Sequence, residues 1–149
     1  IRFWVVRSDT LYVQFKRRNG RPTRALIKRR LYPRRWNYVG CTYNQRTGIA
    51  TLWVDSRPVL TQNIKRIRLA TKTTAYMGGT FRGRIACMQV YSKALTGPQI
   101  KKVKNLCNKP GDFSTEVFDK EPFCTAKLKI SALLVPGTNQ LFLLHLKKP

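Results

Sequence analysis

The sequence is short of acid. Six Asp and Glu stand against thirty Lys and Arg in 149 residues, a formal net charge of +24. Ion pairs within the chain cannot neutralise that excess, so the folded protein repels itself and favours any anionic partner. Histidine occurs once, as His145 in an apolar run. A lone His there is more often structural or solvated than catalytic, because general acid–base work needs positioned partners. There is no Gly-x-Ser-x-Gly elbow and no phosphate-cradling Gly loop. Asp9 and Asp55 are the only acids before Asp112, which leaves no paired carboxylates for glycoside hydrolysis. No enzymatic activity and no cofactor are expected. Calcium needs several oxygen ligands, carboxylates among them, and zinc patterns need Cys-x-x-Cys or more His. No metal site is expected. No apolar run has transmembrane length, so no membrane insertion is expected. No Asn-x-Ser/Thr site gives a compartment clue. With Ile1 in place of Met and no signal segment, the chain reads as a processed product or cut fragment.

What is present supports a folded domain. Apolar residues make up 42% of the chain, including three Trp, six Tyr and seven Phe, a richness that disordered segments lack. The basic residues are unevenly placed. Residues 16–35 carry Lys16, Arg17, Arg18, Arg21, Arg24, Lys28, Arg29, Arg30, Arg34 and Arg35, with no acid between Asp9 and Asp55. Arg forks match sulfate and phosphate oxygens in bidentate fashion. These ten residues are therefore the candidate polyanion-binding face. A solvated charged surface is the plainer reading of a single basic run.

The pattern reads as strands. Residues 1–5 and 11–15 are the first candidates, and Asn19-Gly20 then suits a tight turn. Residues 24–31 return. Pro22 marks an edge, or a turn looser than two residues. In a two-residue turn Arg18 would face Arg21, which like charges disfavour. On extended backbone Lys28 and Arg30 would share one face and Arg29 the other. Residues 36–43 and 49–54 pair across Asn44–Gly48. Ala50, Leu52 and Val54 take one face of the second strand, and Ile49, Thr51 and Trp53 the other. Apolar character on both faces fits a layered sandwich. Residues 67–69, 75–77 and 84–91 are further candidates, with a break at Gly78-Gly79. Thr96-Gly-Pro-Gln99 has capping-box spacing for one short helix over 97–106, with Ile100, Val103 and Leu106 as its apolar stripe. Residues 108–124 look like an acidic linker. Residues 125–149 hold two apolar stretches around Pro136-Gly137, a hairpin or tail.

Two blocks carry a family resemblance. The run from Trp36 to Asp55 has a Trp, an aliphatic strand, Thr-Tyr-Asn, a Thr-Gly turn and a strand ending in Val-Asp. The run from Met77 to Leu95 contains Phe-Arg-Gly-Arg-Ile and Cys-Met-Gln-Val-Tyr, followed by the helix at Thr96. In this order they resemble the laminin G-like, concanavalin A-like jelly-roll family, in particular modules of invertebrate extracellular proteins such as shell-matrix components. The resemblance covers residues 1–107. It implies an all-β antiparallel jelly-roll sandwich lacking its first strands, unless residues 125–149 replace them. Where relatives have Gly after Val-Asp, this chain has Ser56. The resemblance also implies a secreted or matrix module that binds heparan-type glycans or acidic matrix proteins. An alternative is a biomineral-matrix protein bridging acidic polymers and carbonate. Another is nucleic-acid binding, as a non-specific polyanion. A +24 chain with two acids in the matched region is a poor calcium binder, and Asp55 reads as a turn residue, paired with Arg57.

The four cysteines, Cys41, Cys87, Cys107 and Cys124, fit disulfides in an extracellular module. Buried free thiols are the alternative for Cys41 and Cys87. The implied jelly-roll places these two on strands of one sheet, from which we expect Cys41–Cys87 and Cys107–Cys124. Related modules point instead to Cys87–Cys107.

Overall fold

The computed structural model describes residues 1–7, 9–69, 84–91, 93–108 and 140–147. Period-two alternation of apolar side chains sets the first sheet. Strands β1 (Arg2–Val6), β2 (Thr10–Gln14) and β3 (Leu26–Arg29) pair antiparallel in that order. Phe3, Val5, Leu11, Val13 and Leu26 turn inward to the core, and Trp4 and Ile27 stay exposed. The second sheet has five strands in the order β6-β5-β4-β8-β7. They are β4 (Trp36–Asn44), β5 (Ile49–Val54), β6 (Arg57–Asn63), β7 (Arg84–Tyr91) and β8 (Gln140–Lys147). Val39, Cys41, Tyr43, Ala50, Leu52 and Val54 face the first sheet and are almost wholly buried. The expected division of β5 between two faces is therefore what the structure shows.

The other face of the second sheet carries helix α1 (Gly97–Lys104). Ile100 is fully buried there with Tyr38, Trp53 and Leu95. Thr96 and Gln99 bond reciprocally at the N-terminus, the Thr96 amide donating to Gln99 Oε1 at 2.9 Å. This is the arrangement that their spacing predicts. Leu106, expected on the apolar stripe, is instead 54% exposed in a following 3-10 turn, Asn105–Asn108. The change from α to 3-10 winding takes it off the stripe.

Three segments stand apart from the expected strands. Strand β6 is an addition to them, and its Pro58 cannot donate to a ladder. It is tolerated because β6 is the sheet's edge, with an irregularity opposite it at Leu52/Trp53. Residues 67–69 form no strand; only Leu69 bridges, to Arg17. Of residues 125–149, read as a hairpin packing on the sandwich or a tail, residues 140–147 contribute β8 between β4 and β7. The 75–77 strand, the Gly78-Gly79 break and residues 109–139 lie outside the described residues.

The interposed β8 also decides the cysteines. Cys41 is aligned with Phe142, and Cys87 with His145 on the far side of β8. Two strand spacings separate their backbones by about 10 Å, beyond the reach of a disulfide. They also face opposite ways. Cys41 lies in the core between the sheets. Gln89, two residues from Cys87, accepts a hydrogen bond from Tyr38 Oη at 2.6 Å on the helix side. Cys41 is accordingly a free, fully buried thiol, its pKa pushed well up by burial. Cys87 is disulfide-bonded. The Cys41–Cys87 pairing is overturned, and with it Cys41 as a disulfide residue. Cys124 lies outside the described residues.

Tyr43 ties the sheet to the segment after β6. Its hydroxyl accepts from the Ile67 amide at 2.8 Å and reaches the carbonyls of Lys65 and Ile67 at 3.2 Å. Tyr43→Phe leaves a buried amide unpaired. It should cost about 2 kcal/mol in a denaturant titration; a loss below about 0.5 kcal/mol would mean another acceptor takes over.

Candidate functional site

The β2–β3 hairpin does not present its ten basic residues as one patch. Pro22 makes the turn looser than two residues. The Gly20 amide donates to Arg17 O, the Arg17 amide to Arg21 O, and Lys16 bridges Pro22. Arg18 is not left facing Arg21, because its amide donates to Arg68 O at 2.8 Å. Lys16, Arg17, Arg18, Arg21 and Arg24 thus gather at the hairpin tip, beside Lys65, Arg66 and Arg68 of the neighbouring segment. All but the half-buried Arg17 are exposed. Lys28, Arg29 and Arg30 lie at the opposite end of the hairpin, where Arg29 is aligned with Thr10. The two groups approach each other at Arg24 and Lys28, four residues or roughly 13 Å of extended chain apart, and Arg21 at the tip is roughly 23 Å from Lys28.

The second group lines a groove. It has a volume of about 690 Å³ and runs between the end of β3 and the β5–β6 hairpin. Lys28, Arg29, Arg30 and Tyr32 come from the first sheet's side. Val54, Asp55, Arg57, Pro58 and Val59 come from the second. The alternation expected of Lys28, Arg29 and Arg30 does not divide them, because β3 ends at Arg29 and the chain turns. The amides of Arg30 and Leu31 both donate to Asp9 O at 2.9 Å. Arg34 and Arg35 are exposed on the following turn. Buried Asn37 closes that turn, accepting from the Tyr32 amide and donating to Tyr32 O and Arg35 O.

Two carboxylates sit near these cations, and both have structural partners. Asp9 accepts from Thr10 Oγ1 at 2.8 Å and from Arg29 Nε. Those bonds hold its carboxyl below the usual range. Arg29 nevertheless keeps 78% of its side chain in solvent. Asp55 was expected to pair with Arg57. It pairs instead with Lys104 of α1, at 3.2 Å, and accepts from the Tyr38 amide. The reason is the turn. Asp55 and Ser56 both have positive φ, 50° and 65°, the geometry of a two-residue type I′ hairpin. It directs Asp55 back under the sheet toward α1 and sends Arg57 out along β6. Arg57 is thus the groove cation that sequence reasoning missed. Only the turn could have revealed it, since a two-residue turn after Val54 makes Arg57 the first residue of a returning strand, and without glycine the residue types do not announce that turn.

Ser56 bears a strain that glycine would not. Its φ is left-handed, and its hydroxyl is buried with no hydrogen-bond partner among the described residues. Ser56→Gly is expected to raise stability by about 0.5–1 kcal/mol, the strain relieved less the entropy of a more flexible unfolded chain. A drop in melting temperature would contradict this.

The basic residues of 16–35 therefore form two clusters, exposed apart from the half-buried Arg17, of which one frames a groove. Among the described residues no three of His, Cys, Asp and Glu come together, and no helix is long and apolar enough to cross a membrane. The backbone of His145 lies in β8, aligned with Tyr38 and Cys87.

Searches of curated proteins and of solved structures returned no match. A family model, that of the concanavalin A-like lectin/glucanases superfamily in its laminin G form, matches residues 1–101. Such domains often bind glycans or matrix components and are typically extracellular. The two antiparallel sheets, the single short helix of the described residues and the extent of that match together make this chain a member of the laminin G-like, concanavalin A-like lectin/glucanase superfamily.

Proposed function

We propose that this chain is a non-enzymatic extracellular binding module whose basic groove docks acidic glycans. The carrying observation is that Lys28, Arg29, Arg30 and Arg57 converge on one groove from two sheets. The arginine forks suit bidentate contacts to sulfate or carboxylate, and the attraction of four cations offsets the cost of ordering their exposed side chains on binding. Asp55 also lines the groove, but its charge is matched by Lys104. The hairpin-tip cluster adds long-range attraction. Asp9 and Asp55 support folding, one holding the end of β3 and the other joining the β5–β6 turn to α1, which supports a binding rather than a hydrolytic role.

Retention on immobilised heparin tests this reading. Binding should weaken steeply with salt, by analogy with counterion release from nucleic acids. Replacing Lys28, Arg30 and Arg57 with Gln should move elution to much lower salt. Replacing Lys101 and Lys102, exposed on α1, should shift it little. A larger loss from the helix pair would place the site elsewhere. Equal retention on DNA, falling alike with salt, would leave only generic polyanion affinity.

A further inference from the structure

The outer face of the first sheet carries an aromatic row that the core does not use. Register aligns Trp4 with Tyr12, and Tyr12 with Ile27, straight across β1, β2 and β3. Alternation points all three away from the core. Trp4 is 40% and Ile27 47% exposed, and Tyr12 is half-buried. With strands about 4.8 Å apart the row spans roughly 10 Å. On one side Arg2 is aligned with Gln14, and on the other exposed Val6 is aligned with Thr10 and Thr10 with Arg29. Arg29 also lines the groove, so groove and aromatic row form one continuous surface.

We propose that this row is a stacking platform for the sugar rings of an acidic polysaccharide, whose chain runs from the groove over Arg29 onto Trp4 and Tyr12. The inference rests on the glycan-binding reading above and adds a second contact of different chemistry. Pyranose rings present flat C–H faces to aromatic rings, while their anionic substituents reach Arg2 and Arg29. The exposed apolar row favours a ligand with apolar faces, and the flanking arginines favour an anionic one. A second copy of this chain would bring +24 against +24, which disfavours self-association.

The test compares three polyanions against the full chain by titration calorimetry: a heparin-derived octasaccharide, linear polyphosphate and poly-glutamate. Trp4→Ala and, separately, Tyr12→Ala should weaken the octasaccharide about tenfold, as loss of one stacking contact does for nucleobases. Both should leave polyphosphate unchanged, and Trp4→Phe should restore most of the loss. The groove variant lacking Lys28, Arg30 and Arg57 should weaken both ligands. Near-ultraviolet circular dichroism, reporting buried Trp53, checks that each variant is folded. If the aromatic variants bind the octasaccharide as wild type does while the groove variant does not, the platform is wrong and the groove stands. Equal losses for octasaccharide and polyphosphate also overturn the platform. A loss for poly-glutamate as large as for the octasaccharide would make it an acidic-protein site instead. If wild type binds none of the three, the groove and the platform both fail.

Discussion

Gly48→Ala should lower the stability by about 3 kcal/mol. Gly48 ends the β4–β5 turn with φ +75°, a conformation that side chains resist. A Cβ there would also lie 2.7 Å from the Lys65 carbonyl carbon and 3.0 Å from the Arg66 amide nitrogen. Those are backbone atoms, and they cannot swing aside. The Ile64 amide donates to Gly48 O at 2.9 Å, and Tyr43 holds the same segment through Lys65 and Ile67. The strand-crossing segment is thus fixed from both sides of the clash. Gly20 provides the comparison. Its φ is +82°, but its Cβ position is open, so Gly20→Ala should cost only the backbone strain, about 1 kcal/mol. Urea unfolding of both variants reads the difference. Equal losses would mean that the 64–67 segment yields freely.

Removing the groove's charge should have the largest effect on binding. Lys28→Gln, Arg30→Gln and Arg57→Gln together should reduce affinity for a heparin oligosaccharide about a hundredfold near physiological salt, at roughly 1 kcal/mol for each lost charge-assisted contact. Arg29 is left in place because it also bonds Asp9, and removing it would confuse folding with binding. Isothermal titration at fixed salt gives the ratio. A loss of less than threefold would show that the cations act only through the overall field of the +24 chain, in which three charges are a small part.

The sandwich was legible because its strands alternate. Phe3, Leu11, Val13, Leu52 and Val54 fall on one face at spacing two, and Trp53 falls on the other to meet Ile100. The Thr96–Gln99 cap that starts the helix was local too, whereas its end at Lys104 was not read. What could not be read was the order of strands. Nothing between Gln140 and Lys147 says that this segment enters between β4 and β7, and the Cys41–Cys87 expectation failed for that reason and because the two residues face opposite sides of the sheet. Strand β6 follows the Asp55-Ser56 turn with Pro58 as its second residue, a position that an edge strand tolerates. In the site, basic residues adjacent in sequence were assumed to be adjacent in space. An extended hairpin separates them instead, and Arg57 joins Lys28–Arg30 across the two sheets. The Asp55–Lys104 pair depends on the left-handed Asp55-Ser56 turn, a backbone feature that the residue types do not announce in the absence of glycine.

The central claim is that the groove, not the charge as a whole, recognises the glycan. Backbone amide shifts on titrating a heparin-derived tetrasaccharide into the isotopically labelled chain test it most directly. Large shifts at the lowest ligand ratios should include Lys28, Arg29, Arg30, Tyr32, Arg57 and Val59, with Lys101 and Lys102 nearly still. Shifts spread evenly over every basic segment, or concentrated on α1 with the groove unmoved, would contradict it.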